Sequence, residues 1–70
     1  ALFLDKGNFE KVYRKGIDFF RNRKDWDFVR DYSRELADFY YSKQEYEKAA
    51  DYYRLSFSAS DKIKEMGALH

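Results

Sequence analysis

Residues 36–53, "LADFYYSKQEYEKAADYY", contain the pattern that decides the fold. On each side of a polar interruption at residues 43–45, apolar and small side chains recur every three or four residues. They are Leu36, Ala37 and Tyr40 before the interruption, and Tyr46, Ala49, Ala50 and Tyr53 after it. This spacing is the period of an α-helix that buries one face. The stretch therefore predicts two helices joined by a short turn.

The same period extends over the rest of the chain and predicts four helices. The first would follow a turn at residues 5–8, with Gly7 in a left-handed helix-ending position and Asn8 as the N-cap. The fourth would start after Ser60 or Asp61. The expected buried stripes are Phe9, Val12, Tyr13, Gly16, Phe19 and Phe20; Trp26, Val29, Ser33, Leu36, Ala37 and Tyr40; Tyr46, Ala49, Ala50, Tyr53 and Phe57; and Ile63, Met66 and Leu69. Short turns make neighbouring helices antiparallel, so we predict an all-α fold of antiparallel helical hairpins.

The composition restricts the class of protein. Charged residues make up 39% of the 70 residues and aromatic residues 21%, and there is no Cys or Pro. A net charge of +1 gives no general attraction to nucleic acid or to anionic lipid. No apolar run approaches the roughly 18 residues of a membrane span. We therefore expect a soluble, cytoplasmic helical segment, and its start at Ala1 rather than Met indicates a piece of a longer protein.

The sequence also repeats itself. "KGNFEK" at residues 6–11 returns as "KQEYEK" at residues 43–48, so that Phe9 corresponds to Tyr46 and Phe20 to Phe57. A two-helix unit that recurs after 37 residues is typical of an α-solenoid, in which each unit buries its apolar face against the next. On this interpretation residues 1–21 end a first repeat, residues 25–60 form a complete repeat, and residues 61–70 begin a third.

Residues 36–60 resemble a tetratricopeptide repeat (TPR). The positions that carry the resemblance are Leu36, Ala37, Tyr40, Tyr46, Ala49, Tyr53 and Ser56. The resemblance implies that Ala37 and Ala49 lie where helices cross closely, with Tyr46 and Tyr53 as the rings around the crossing. The sequence departs from the family pattern at Gln44, where the turn usually has Gly, and at Asp61, where Pro often ends the repeat.

A polar stripe on the second helix is the candidate binding site. Asp31, Arg34, Asp38 and Tyr41 recur at helical spacing, and the resemblance implies that this helix lines the concave groove that holds a ligand. The sequence fits a second interpretation equally well, in which Asp31–Arg34 and Arg34–Asp38 are solvated ion pairs. Asp38 would repel a terminal carboxylate, so the clamp for chaperone tails found in some members is not expected.

Other features indicate no chemistry. The basic cluster "RNRK" at residues 21–24 is interpreted as a solvated helix end that compensates the helix dipole, rather than as a phosphate contact. His70 is the only histidine and is terminal, and none of the serines has a plausible base nearby. No nucleotide loop or metal-ligand spacing is present. We therefore expect no enzyme activity, no cofactor and no metal.

The function expected from the sequence is binding of a protein or peptide by a non-catalytic scaffold. The longer repeat and its many rings are similar to bacterial peptide-pheromone receptors of the Rap and PlcR type, which implies a role in transcription or signalling regulation. Their groove asparagines have no counterpart here, because neither Asn8 nor Asn22 lies on the polar stripe. The alternative is homo-oligomerisation through open solenoid ends, with Phe3 and Leu4 at one end and Ile63, Met66 and Leu69 at the other. No nucleic-acid partner and no membrane partner are expected.

Overall fold

The computed structural model describes the backbone of residues 6–68 and the side chains of residues 8–66. It contains three α-helices, α1 (Lys6–Arg23), α2 (Trp26–Ser42) and α3 (Tyr46–Ala68), and no strand among those residues. The predicted all-α class is confirmed. The tetratricopeptide solenoid arrangement stays a prediction.

The two turns are built in the same way. Lys24 and Gln44 adopt left-handed backbone angles, with φ of 62° and 66°. In each turn this residue and the next donate backbone hydrogen bonds of 2.9–3.0 Å to carbonyls in the last turn of the preceding helix, which is the Schellman arrangement. The carbonyl of Asp25 then accepts from the first turn of α2, and that of Glu45 from the first turn of α3. The breaks predicted on either side of α2 are thus confirmed.

Two predicted helix boundaries are wrong. Helix α1 already includes Gly7 and Asn8, so these residues do not form a turn. Gly and Asn are weak helix formers, but each costs a helix only about 1 kcal/mol or less relative to Ala, so neither one forces a turn. Helix α3 continues through Ser60 and Asp61, so no fourth helix starts at this point. Ser and Asp cost a helix interior only a few tenths of a kcal/mol, and no Gly or Pro is present to force a turn.

Helix α2 lies between α1 and α3, and within the described residues no Cα atom of α1 comes within 8 Å of one in α3. Its buried face carries the predicted stripe, with Val29, Leu36 and Ala37 fully buried and Tyr40 2% exposed. Leu36 and Tyr40 join Ile17 of α1 and Ala49 of α3 in one hydrophobic cluster. Helix α2 is therefore the centre of the core.

Two hydrogen bonds between side chains join the antiparallel helices α1 and α2. The Tyr13 hydroxyl donates to Glu35 at 2.7 Å, and Tyr40 of α2 donates in return to Glu10 of α1. This hydrogen bond to Glu35 is the main reason why the pKa of Tyr13 rises to about 12. The pKa of Tyr40 is also raised, chiefly because its ring is buried and secondly because its hydroxyl donates to Glu10. Both hydroxyls therefore remain protonated donors at neutral pH.

The buried face of α1 differs from the predicted one. Ile17, which was not expected to be buried, is 2% exposed, whereas Val12 and Phe19 are 53% and 56% exposed. Gly16 lies on the contact, because a Cβ atom there would be 3.3 Å from the ring of Tyr32. The absence of a side chain at Gly16 lets this side of α1 approach α2, which turns Val12 and Phe19 towards solvent.

The buried face of α3 is also rotated from the prediction. Tyr46 and Phe57 are 54% and 71% exposed, while the small residues Ala49, Ser56 and Ala59 are buried. Ser56 donates a hydrogen bond of 3.1 Å to the backbone carbonyl of Arg30. Small side chains let α3 approach the backbone of α2 closely, and the large rings on the neighbouring face of α3 are consequently left outside the core.

Candidate ligand-binding surface

The four polar-stripe residues, Asp31, Arg34, Asp38 and Tyr41, are all exposed on one side of α2. They lie away from the buried stripe of that helix, as their sequence spacing requires. The predicted placement on a shared exposed face is thus observed. Whether this face binds a ligand depends on what surrounds it.

The ion pairs expected within this stripe do not form. Asp31 pairs instead with Arg30, with 3.0 Å between Nε and Oδ1. The Asp38 carboxylate accepts a hydrogen bond from the Tyr53 hydroxyl of α3. Among residues 8–66, Arg34 has no ion-pair partner. The interpretation of this stripe as mutually paired charges is therefore wrong.

Arg34 borders a groove between α2 and α3 with a volume of about 390 Å³. Helix α2 contributes Arg30, Asp31 and Arg34 to its walls, and helix α3 contributes Tyr53, Ser56, Phe57 and Ser60. Phe57 has the largest exposed fraction among the large hydrophobic side chains of the described region. The groove thus combines a free cation with an exposed ring.

The α3 side of this surface was not predicted from the sequence. Tyr46, Ala50, Tyr53 and Phe57 follow one another at helical spacing, and we call them the aromatic stripe. At its start, Tyr46 packs edge-on against Tyr41 with ring centroids 5.3 Å apart, and both rings remain more than half exposed. The helical spacing of these residues predicts that they are buried, but helical periodicity alone does not show which face of a helix packs against a neighbour.

Tyr53 connects the two stripes. Its pKa is raised, chiefly because its hydroxyl donates to the Asp38 carboxylate and secondarily because of burial, while the positive charge of Arg34 nearby lowers it. The Asp38–Tyr53 contact joins α2 to α3 and occupies one oxygen of the carboxylate. The hydrogen bond leaves the negative charge of Asp38 in place, so Asp38 and Arg34 both remain charged near the Tyr53 ring.

The basic cluster at residues 21–24 lies at the end of α1 and in the turn that follows. Arg23 pairs with Asp25 at 3.1 Å and lies over the ring of Phe19 at 5.4 Å from its centroid. The side chains of this cluster are exposed. This placement agrees with the interpretation as a solvated helix end.

Potential metal ligands do not cluster in the described region. No three His, Cys, Asp or Glu residues among residues 8–66 lie together so that they could hold a metal ion. Ser42 and Ser56 donate to backbone carbonyls, and the buried hydroxyl of Ser33 has no hydrogen-bond partner. His70 lies outside the described residues.

A second groove of about 180 Å³ lies at the end of the molecule near the α1–α2 turn. Three apolar residues, Trp26, Ile63 and Met66, and three charged ones, Lys24, Asp25 and Asp27, line it. The Lys62 ammonium lies 5.2 Å from the centroid of the Trp26 ring. Met66 is 54% exposed. Of the residues expected at the open solenoid ends, Phe3, Leu4 and Leu69 lie outside the described part of the chain.

In comparisons with known proteins, no family model matches the sequence, and no curated protein or solved structure matches it. None of the helices over residues 6–68 has the length and apolar character that crossing a bilayer would require.

Proposed function

We propose that this chain is a non-catalytic helical scaffold that binds a protein or peptide. The binding surface consists of the polar stripe of α2 and the aromatic stripe of α3, with the groove between them at its centre. The placement of α2 between two antiparallel neighbours supports a tetratricopeptide-like organisation as part of this proposal. The resemblance to peptide-pheromone receptors extends the proposal to regulation of transcription or signalling in the bacterial cytoplasm.

The exposure of Phe57 is the observation that carries the proposal. A Phe side chain that is 71% exposed in a groove wall has apolar surface that a partner can bury. Full burial of such a side chain contributes about 1.5–3 kcal/mol. Tyr41 and Tyr46 extend the same surface, and aromatic residues are enriched where proteins bind one another.

A peptide-display selection on the immobilised 70-residue chain tests this proposal. We expect the selected peptides to lose at least about tenfold in affinity for Phe57→Ser, because the ring supplies buried apolar surface. Phe19→Ser is the matched control, since Phe19 is also more than half exposed but lies on α1. Binding that is indifferent to Phe57→Ser, or a selection without binders, would contradict the proposal.

The second candidate function is homo-oligomerisation, which the surface around Trp26, Ile63 and Met66 favours. The exposed Met66 lies here beside the half-buried Trp26 and Ile63, where a second copy could cover all three. Light scattering coupled to size exclusion tests this candidate. A dimer that dissociates in Met66→Glu would support it, whereas a monomer at all concentrations would exclude it.

A further inference from the structure

Helices α1 and α3 have corresponding residues in the repeat but bury different ones. At the offset of 37 residues, Phe9 and Phe20 of α1 correspond to Tyr46 and Phe57 of α3. Phe9 and Phe20 pack on rings of α2, with ring centroids 4.8 and 4.5 Å apart. The corresponding rings of α3 are 54% and 71% exposed. The face that α1 buries against α2 is therefore open on α3, where it forms the aromatic stripe.

The face that α3 buries is in turn open on α1. Ala49 and Ser56 are buried on the side of α3 that contacts α2, and Ser56 donates to a backbone carbonyl of α2. The corresponding residues of α1, Val12 and Phe19, are 53% and 56% exposed. Helix α3 thus contacts α2 through its small side chains and keeps a second packing face, which no helix of the described region covers.

The contact between α1 and α2 shows what kind of element covers a face of this type. Helix α2 presents Phe28, Tyr32 and Phe39 to α1, at the spacing i, i+4 and i+11. Their ring centroids lie 4.5–5.4 Å from those of the α1 rings that they contact. At i+12, the Tyr40 hydroxyl donates to Glu10 of α1. The chain therefore contains its own example of a helix that docks on such a face through three rings and one hydroxyl.

A hydrogen-bond acceptor accompanies the rings on α3 as it does on α1. Glu47 of α3 corresponds to Glu10 in the repeat and is exposed. Its side chain forms no ion pair and no hydrogen bond within residues 8–66. A surface hollow of about 380 Å³ lies beside it and is lined by Tyr46, Glu47, Ala50 and the ion pair of Asp51 and Arg54. The Glu47 carboxylate can thus accept from a hydroxyl of a docked helix.

The middle of the aromatic stripe differs from α1 in the order of its side chains. Ala50 and Tyr53 stand where α1 has Tyr13 and Gly16, so the large and the small side chain have exchanged places. On α1 the ring of Tyr32 covers this pair, because it packs on Tyr13 at 5.1 Å and lies against Gly16. On α3 the hollow at Ala50 provides the space for such a ring.

We infer that the aromatic stripe of α3 binds an amphipathic α-helix of a partner protein, which carries aromatic side chains at i, i+4 and i+11 and a hydroxyl at i+12. This inference rests on the proposed function and specifies the conformation and the side-chain pattern of the bound segment. An apolar helix face laid into a groove is a recurring mode of peptide recognition.

The bound helix runs antiparallel to α3, as α2 does to α1. Residue i then lies on Phe57 and residue i+11 on Tyr46. These two positions are about 16 Å apart along α3, and residues i and i+11 of a second helix have the same separation on one face. The hydroxyl at i+12 then lies at the end of the stripe that carries Glu47.

A designed peptide tests the inference on the 70-residue chain. It consists of roughly 18 residues of Ala, Gln and Lys, which favour a helix, with Phe, Tyr, Phe and Tyr at i, i+4, i+11 and i+12. Its binding is measured by fluorescence anisotropy of a fluorescein label. We expect Phe57→Ser to weaken binding at least about tenfold and Phe19→Ser to leave it unchanged. A control peptide of the same composition, with the rings spread around the helix, should bind at least about tenfold more weakly. Equal binding of the two peptides would overturn the inference.

The helical conformation has a test of its own. Residue i+6 of the peptide lies on the side away from the rings. Pro at i+6 should weaken binding about a hundredfold relative to Ala, because Pro in a helix interior removes a backbone hydrogen bond and clashes with the preceding turn. Circular dichroism of the mixture should show more helix than the sum of the separate spectra. Equal binding of the Pro and Ala versions would overturn the inference, since an extended segment tolerates Pro.

The role of Glu47 is tested by a double-mutant cycle. Glu47→Ala should weaken binding of the peptide with Tyr at i+12 about tenfold, and should leave binding of a peptide with Phe at i+12 unchanged. Glu65→Ala is the matched control, since Glu65 is also exposed on α3 and forms no ion pair among the described residues, but lies two turns beyond Phe57. Equal losses for the two peptides would overturn the assignment of Glu47 as the acceptor.

The outcomes separate this inference from the proposed function. Display-selected peptides that need Phe57 but bind without becoming helical would overturn the inference and leave peptide binding intact. A selection without binders, together with a designed peptide that does not bind, would overturn both. A dimer of the chain that Phe57→Ser dissociates in light scattering would also overturn the inference, since a second copy would then occupy the aromatic stripe.

Discussion

Gln44→Gly should stabilise the fold, because Gln44 occupies a left-handed backbone conformation with φ of 66°. The left-handed conformation costs a residue with a Cβ atom roughly 1–2 kcal/mol, whereas glycine adopts it without this cost. Glycine also gives the unfolded chain more conformational entropy, which lowers the free energy of unfolding by about 0.5–1 kcal/mol. The expected net gain is thus about 0.5–1 kcal/mol.

Thermal denaturation followed by circular dichroism measures this gain. For a domain of this size, 1 kcal/mol corresponds to about 4–8 °C in Tm, so Gln44→Gly should raise Tm by about 2–8 °C. Urea denaturation should show a higher midpoint with an unchanged slope. Lys24→Gly, at φ of 62° in the other turn, should give a similar and additive gain because the turns lie at opposite ends of α2.

Two control substitutions separate the backbone effect from other causes. Gln44→Ala keeps the Cβ atom and should leave Tm nearly unchanged. Lys43→Gly should not stabilise, since Lys43 has φ of −91°, which any residue adopts. If Gln44→Gly is no more stable than Gln44→Ala, the left-handed turn does not carry the strain that we assign to it.

Three further predictions concern the core and the bonds between helices. Leu36→Ala should lower the free energy of unfolding by about 2–5 kcal/mol in urea denaturation, because Leu36 is fully buried, whereas Val12→Ala on the surface should change it by less than about 0.5 kcal/mol. Ser33→Ala should be neutral or stabilising in the same assay, since it removes a buried hydroxyl that has no partner; a loss above about 1 kcal/mol would contradict this. The stability linked to the Tyr13 proton should be retained up to about pH 10 and be lost as the pH rises from 10 towards 12, because the raised pKa of Tyr13 in the folded chain makes the unfolded chain lose that proton first. The 295 nm titrations of Glu35→Gln and the wild type should differ by one of the seven tyrosines, which ionises nearer to pH 10 in the variant.

Much of helix α2 could be predicted from the sequence. Val29, Leu36 and Tyr40 are buried as expected. Phe28, Tyr32 and Phe39, which pack against rings of α1, were not part of the predicted stripe. The two turns were also predictable, because polar residues interrupt the helical period on both sides of α2. The local sequence pattern was sufficient to predict the centre of the buried face of α2 and the turns on either side of it.

The faces of α1 and α3 could not be predicted, because each helix carries large apolar residues on adjoining sides. Val12 and Ile17 both continue a helical stripe, and Ile17 is the one that lies on the side of α1 that contacts α2. In α3 the small residues Ala49 and Ser56 allow the closest approach to α2, which leaves Phe57 outside. Choices of this kind depend on the partner helix and not on local sequence.

The candidate site was half predicted for the same reason. The exposed stripe with Arg34 followed from helical spacing, but its ion pairs did not, since the Tyr53 hydroxyl comes from another helix to engage Asp38. The ring of Phe57 lies at the site because of the way α3 packs on α2, which local sequence does not show. The functional proposal therefore depends on tertiary contacts that link residues distant in the sequence.

The most direct test of the central claim is an NMR titration of the ¹⁵N-labelled 70-residue chain with the tightest selected peptide. The claim predicts that the amide shifts change along the α2–α3 groove, at Arg34, Tyr53, Phe57 and Ser60, and that those of Val12 and Phe19 on α1 stay in place. Shift changes confined to α1, or to the surface around Trp26 and Met66, would show that the partner binds elsewhere and would contradict the account.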